Sequence, residues 1–365
     1  MDLSKKGQES HLFQWIFVLI AGAVLFGFII KFGFKQSEQA TTTSNTEISK
    51  ALETILRSIE RNPDTFKRIS IPPSTIEFRC DDSGSYYHLS GSSGTTSLQY
   101  NILFSPPKVS GNEILTWTKD WSAPFKVASF LYLSNKRTQY IFVMDPAFQT
   151  RLLLNDFPKN FTHLVIDPSD PASPSLSDFR YNNYDHYRFI YINQDPAANP
   201  PTPPTVKDNV TILSTTPLLP TTTPDHSDSV YFYRYTPTGL SPPQESFYLR
   251  RETLYAALFA HDFQNYACNL KKAIERYKIN IDLALLWVQT VSDQIGAGNC
   301  RDLFDNTGTP LGIKQHLITI QTELNQLQLA DTSSDTTHAK TILEEAKEVK
   351  LLNDDLALAS CPQLY

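Results

Sequence analysis

Gln139-Tyr140-Ile141-Phe142-Val143-Met144-Asp145-Pro146 is the stretch from which the architecture is read. An apolar run this short, closed by a turn-forming Asp-Pro, suits a strand buried on both faces better than a helix. The arrangement returns at His163–Ile166, closed by Asp167-Pro168, and at Tyr187–Ile192, closed by Asn193-Gln194-Asp195-Pro196. Phe148–Phe157, with Leu152 and Leu153, is of helix length between the first two. Short apolar strands alternating with helix-length segments predict a Rossmann-like α/β region over 136–242, with a parallel sheet and right-handed crossovers. Val210–Ser214 and Ser229–Tyr235 are its last strands. Asn199–Thr205 and Thr215–Pro224 are Pro/Thr-rich and read as loops.

Upstream, residues 36–135 read as a linker helix and a β-rich region. Ser44 and Glu47 form a capping box, Ile48, Leu52, Ile55 and Ile59 follow at helical spacing, and Asn62-Pro63 ends the helix. Thr75–Cys80 alternates with a period of two, as a strand does, and Asp81–Ser85 reads as a turn. Tyr86–Leu89, Leu98–Phe104, Ile114–Trp121 and Phe125–Leu133 are further strands, mostly antiparallel, with Ser90–Thr96 a Gly/Ser-rich hairpin tip.

Downstream, residues 243–365 read as helical to the end. Leu254, Leu258, Leu270, Ile274, Tyr277, Ile281, Leu285 and Val288 form one apolar stripe. Ile313, Leu317, Ile320, Leu324 and Leu327 form a second, and Ile342, Ala346, Val349, Leu352 or Asn353, and Leu356 a third. Three stripes with short connections predict an antiparallel bundle. An unbroken first helix separates Cys268 from Cys300 by roughly 45 Å. The next two helices run out and back and return Cys361 to Cys300, so the expected disulfides are Cys300–Cys361 and Cys80–Cys268.

Before all of this, Leu12–Ile30 reads LFQWIFVLIAGAVLFGFII. About 20 apolar residues cross a bilayer core as a helix, so the reading is an N-terminal transmembrane anchor behind a short cytoplasmic tail, over 1–35. Trp15 sits at interfacial depth, Lys31 can snorkel, and lipid contact extends over residues 12–34. Ala23 and Gly27 have the spacing that lets a second helix pack closely. The run is long for a cleaved signal and no Ala-x-Ala site follows. The basic residues flanking it are balanced. The four cysteines and the sequons at Asn160 and Asn209 therefore place the body outside the cell membrane, as a glycoprotein.

Lys5-Lys6-Gly7-Gln8 ahead of the apolar run resembles the class III signal of archaeal type IV pilin-like proteins. The resemblance implies cleavage between Gly7 and Gln8 and a filament-forming helix. It departs from the pattern in that the acidic residue, Glu9, comes second after that point rather than fifth. Tyr266-Ala267-Cys268-Asn269-Leu270-Lys271-Lys272 and the terminal Cys361-Pro362-Gln363-Leu364-Tyr365 resemble single-pass envelope proteins of small-genome archaea, a family that implies no activity.

Composition bounds the function. The 365 residues are 41% hydrophobic and 12% aromatic, enough for substantial cores. A net charge of −6 without a long basic run argues against nucleic acid as a partner. The cysteines lack CxxC spacing, the histidines (His163, His186, His261 and His316 among them) lack HxH or HExxH spacing, and no Gly-x-Ser-x-Gly occurs. No Gly-rich phosphate loop follows the first α/β strand, so no cofactor is expected. Ligands of open parallel sheets bind beyond the strand ends, where Asp145, Asp167, Asn193 and Asp195 fall. Asp145 and Asp167 are the candidates for a carboxylate pair that holds a divalent metal or acts as acid and base. Their simpler role is to start turns. Three functions result. The first is a membrane-anchored extracytoplasmic binding or structural protein of the envelope, homo-oligomeric or bound to an envelope partner. The others are a membrane-tethered metal-assisted hydrolase and a pilin-like filament subunit.

Overall fold

The structure is a computed structural model. It describes residues 64–365 except 82–83, 91–94, 98–101, 145–153, 177–178, 182, 202–209, 216–226, 237–238, 296–297 and 330–331, together with helical positions 23, 26, 49, 52 and 53. Two six-stranded sheets share one helical layer. The first sheet comprises β1 (Phe66–Asp81), β2 (Gly84–Leu89), β3 (Thr95–Ser97), β4 (Ile102–Phe104), β5 (Lys108–Ser122) and β6 (Lys126–Ser134). Its order is β3-β2-β1-β5-β6-β4, antiparallel except that β4 runs parallel to β6.

The second sheet comprises β7 (Thr138–Met144), β8 (His163–Ile166), β9 (His186–Ile192), β10 (Val210–Thr215), β11 (Ser227–Tyr233) and, after the small ribbon β12 (Tyr235–Thr236) and β13 (Gly239–Leu240), β14 (Gln244–Leu249). Its order is β14-β11-β10-β9-β7-β8. β10, β9, β7 and β8 are parallel, and β11 and β14 are antiparallel at one edge.

Period-two alternation assigns each strand's faces. Tyr140, Phe142 and Met144 enter the central core, whereas Ile141 and Val143 enter a second core on the far face of the sheet. In the first sheet Phe130 and Tyr132 face the central core, and Leu131 and Leu133 face away, with Leu52, into a third. Both faces of the inner strands β6, β7 and β9 are therefore buried, which explains their near-continuous apolar runs, whereas β1, β2, β3 and β8 leave one face partly open.

Between the sheets lies α1 (Arg250–Phe259), in which every residue from Thr253 to Phe259 is buried. The chain breaks at Ala260, and Asp262 caps α2 (Phe263–Gln294) by accepting from the Asn265 N–H at 2.8 Å. α3 (Asn299–Asp305), α4 (Ile313–Gln326) and α5 (Thr332–Leu358) follow. Two His–Glu contacts, His316 with Glu345 and His338 with Glu323, fix the antiparallel register of α4 on α5.

Several expectations are corrected. The expected fold class opened with a transmembrane helix. Among the described residues no helix is long and apolar enough to cross a membrane. Each long helix is two-faced: α2 carries Lys271, Glu275, Lys278 and Asp282 opposite its buried Leu270, Ile274, Tyr277 and Ile281. The run 12–30 lies outside the described residues apart from Ala23 and Phe26. Gly7, Gln8 and Gly27 are outside them too, so the processing and helix-packing expectations fall outside the described residues.

The Rossmann-like expectation also needs revision. The strands are parallel as expected, but the described part of 167–185 joins β8 to β9 through turns rather than a helix. Of the Phe148–Phe157 segment, 154–156 are helical and 148–153 lie outside the described residues.

The C-terminal region does not become helical at Pro243. Residues 244–249 form β14, and the single long stripe is two helices with a break at 260–262. Nor do the helices form a bundle closed on itself. α5 packs on β11 and β14, and α2 packs on β1, β4 and β6. One apolar core runs from Ile102 to Cys361, across the boundaries drawn at 135 and 242.

Candidate functional site

The expected strand-end carboxylates do not assemble a site among the described residues. Asp167 accepts from the Ser169 N–H at 2.9 Å and from the Ser169 hydroxyl at 2.6 Å. Asp195 accepts from the Ala197 N–H at 2.8 Å. These are side chains closing their own turns. Asn193 adopts φ 57°, the left-handed conformation that suits asparagine at a strand end. β7 lies between β8 and β9, so the ends carrying Asp167 and Asp195 are two strand spacings, roughly 10 Å, apart. Asp145, which follows β7 in the sequence, lies outside the described residues. Among those residues no group of three His, Cys, Asp or Glu side chains could hold a metal ion.

The histidines have other partners. His163 Nδ1 lies 3.0 Å from the Phe161 carbonyl, and His316 faces Glu345. In the aromatic run on β11, Phe232 points into the core and Tyr231 and Tyr233 stand partly exposed on the opposite face, an ordinary strand alternation. Asn160 of the first sequon is exposed in a turn, and Asn209 lies outside the described residues.

Among the described residues a broad groove lies elsewhere, around the Cys80–Cys268 disulfide. Its sulfurs are 2.00 Å apart and its Cα atoms 6.0 Å. Here the end of β1 meets the first turns of α2, and the α4–α5 connection closes the third side of a groove of about 760 Å³. Gln264, Cys268, Lys271, Glu275 and Lys278 line it, and their spacing of four and three places them on one helix face.

A row of hydrogen bonds lies beneath this face. Lys272 Nζ donates to Ser85 Oγ at 2.6 Å, Ser85 Oγ donates to Asn269 Oδ1 at 3.0 Å, and Asn269 Nδ2 donates to the Asn265 carbonyl at 3.0 Å. Burial pushes the Lys272 ammonium down to about 8, with Arg276 adding repulsion and Asp81 and Glu275 opposing it. The opposite wall is held by the buried Asp335 carboxylate, which accepts from the Gln328 and Leu329 N–H groups at 2.9 and 2.8 Å.

Chemically, this is a charged groove with a fixed cation in its wall. A hydroxyl bonded to a lysine of lowered pKa is the arrangement by which a serine can be activated. Ser85, however, is buried and does not line the groove, so it presents no nucleophile to a ligand. No short motif marks the groove. Its residues lie on β1, β2, α2 and the α4–α5 connection, and the paired cysteines were the one feature of the sequence that pointed to their meeting.

The depressed Lys272 pKa makes a sign prediction. Between its folded value near 8 and the unfolded value near 10.4, the unfolded chain binds more protons, so stability rises with pH through that window. Lys272→Met should remove that component. The difference in urea midpoint between wild type and variant is expected to shift in the wild type's favour as pH goes from 8 to 10. A pH-independent difference contradicts the assignment.

Compared with known proteins, the chain matches no family model, no curated protein and no solved structure.

Proposed function

We propose that the chain is an extracytoplasmic binding or structural component of the cell envelope. The observation that carries this reading is the cysteine pairing: all four cysteines are joined, Cys80 to Cys268 and Cys300 to Cys361, and no thiol is left free. Structural disulfides persist in oxidising compartments and are rare where thiol reductants dominate. The pairs close long stretches of chain, with separations of 188 and 61 residues, and so act as staples of a folded body rather than as a CxxC redox centre.

Attachment at the membrane through lipid contact of residues 12–34, and association with a further copy or another envelope protein, belong to the same reading and rest on the sequence alone. The resemblance to archaeal envelope proteins supports it in the same way. The groove beside Cys80–Cys268 is the surface offered to a ligand or partner, because its wall is braced by the disulfide, the Lys272–Ser85–Asn269 bonds and Asp335.

The test is topological. Intact cells making the protein are treated with a membrane-impermeant amine reagent, and exposed lysines such as Lys271 are mapped. Labelling before lysis, with a cytoplasmic control protein unmodified, is the expected result. Labelling only after lysis contradicts the proposal.

A further inference from the structure

Arg188, on β9, is 4% exposed. Its Nη1 donates to the His261 carbonyl at 2.8 Å and its Nη2 to the Ala257 carbonyl at 2.6 Å, so the guanidinium closes the C-terminal end of α1. A cation there is favoured by the helix dipole. Both partners are nevertheless neutral, and Nε–H is buried with no partner. The Phe232 ring centroid, 5.8 Å from Cζ, adds a weak cation–π contact.

The nearby carboxylates are engaged elsewhere. Asp262 pairs with Arg234 at 2.7 Å and caps α2, and Asp185 pairs with Arg137 at 2.7 Å. A buried cation without a carboxylate in contact is costly unless something compensates it.

Beside Arg188 lies a cavity of about 20 Å³, lined by Thr138, Tyr140, His186, Thr211, Ala260 and His261 among others. No carboxylate lines it. That volume takes one particle the size of a water molecule. Sulfate, phosphate and organic carboxylates are too large, and a metal cation would face the guanidinium.

We propose that this cavity binds a single monatomic halide ion, chloride under physiological conditions, against Arg188 Nε–H. The ion gives Nε–H an acceptor and sets a counter-charge against a guanidinium whose other contacts are two carbonyls and a ring. It thereby ties β9 to the break between α1 and α2, and makes the ion part of the structure linking the second sheet to the helical layer.

Two readouts test this. Crystals of the full chain are grown with bromide in place of chloride and measured at the bromine absorption edge. An anomalous peak within hydrogen-bonding distance of Arg188 Nε is expected. In parallel, the Tm is measured at constant ionic strength as gluconate is exchanged for bromide. A saturable rise of several degrees is expected, absent in Arg188→Met. A water without anomalous signal at that position overturns the proposal, as does a Tm that responds equally to bromide and gluconate. If Arg188→Met does not fold, the diffraction experiment on the unaltered chain decides alone.

Discussion

Cys80→Ser combined with Cys268→Ser should lower the unfolding free energy by about 3–5 kcal/mol. The pair closes a separation of 188 residues, and the chain-entropy treatment gives about 5 kcal/mol for a loop of that size. The bond also holds the end of β1 on the first turns of α2, so its loss frees one wall of the groove. Cys300→Ser with Cys361→Ser, closing 61 residues, should cost slightly less, about 4 kcal/mol by the same treatment. The two loops do not overlap in the chain, so the losses should add to within about 0.5 kcal/mol. Urea unfolding of the two double variants and of the quadruple variant, all without reductant, measures this. A Cys80/Cys268 double variant as stable as the parent would show that the groove is braced without the bond.

Phe259→Ala is expected to have an effect of similar size, about 3–5 kcal/mol. Phe259 is 2% exposed at the end of α1. Its ring lies 4.9 Å from that of Phe161, 5.2 Å from those of Tyr132 and Tyr140, 5.8 Å from that of Phe157 and 6.2 Å from that of Trp117. Tyr132 and Trp117 belong to the first sheet, and Tyr140 to the second, so this one ring joins them. Polar tips reinforce the joint. Tyr132 Oη donates to the Glu252 carbonyl at 2.7 Å, and Trp121 Nε1 donates to the Leu249 carbonyl at 3.2 Å. Tryptophan fluorescence and far-ultraviolet circular dichroism should therefore report one coincident transition, shifted to lower urea in the variant. Separate transitions for the two signals would mean that the sheets unfold independently.

The strands were legible because their alternation or apolar runs survive burial: Thr75–Cys80, Ile114–Trp121 and Gln139–Met144 fall within β1, β5 and β7. The cysteine pairing followed from helix length, since α2 runs unbroken past Asn280 and keeps Cys268 far from Cys300. What was illegible has physical causes. Gln244–Leu249 runs straight into α1, and Phe247, Tyr248 and Leu249 are all buried, so no change of period marks where strand becomes helix. The break at Ala260–Asp262 is only three residues long, too short to interrupt the apolar stripe visibly.

Nor could the helices' partners be read. The stripe of α5 meets β11 and β14, and an apolar face does not encode what covers it. The groove depends on Ser85, Asn269 and Lys272, whose sequence positions give no spacing to recognise. Asp145 and Asp167 stood out as Asp-Pro pairs, and the Asp167 carboxylate is consumed by its own turn.

The measurement that tests the central claim most directly is non-reducing peptide mapping of the protein extracted from its native cells with free thiols blocked at extraction. Cys80 joined to Cys268 and Cys300 joined to Cys361, with no blocked thiol, is the predicted result. Four blocked thiols would contradict it and place the body in a reducing compartment.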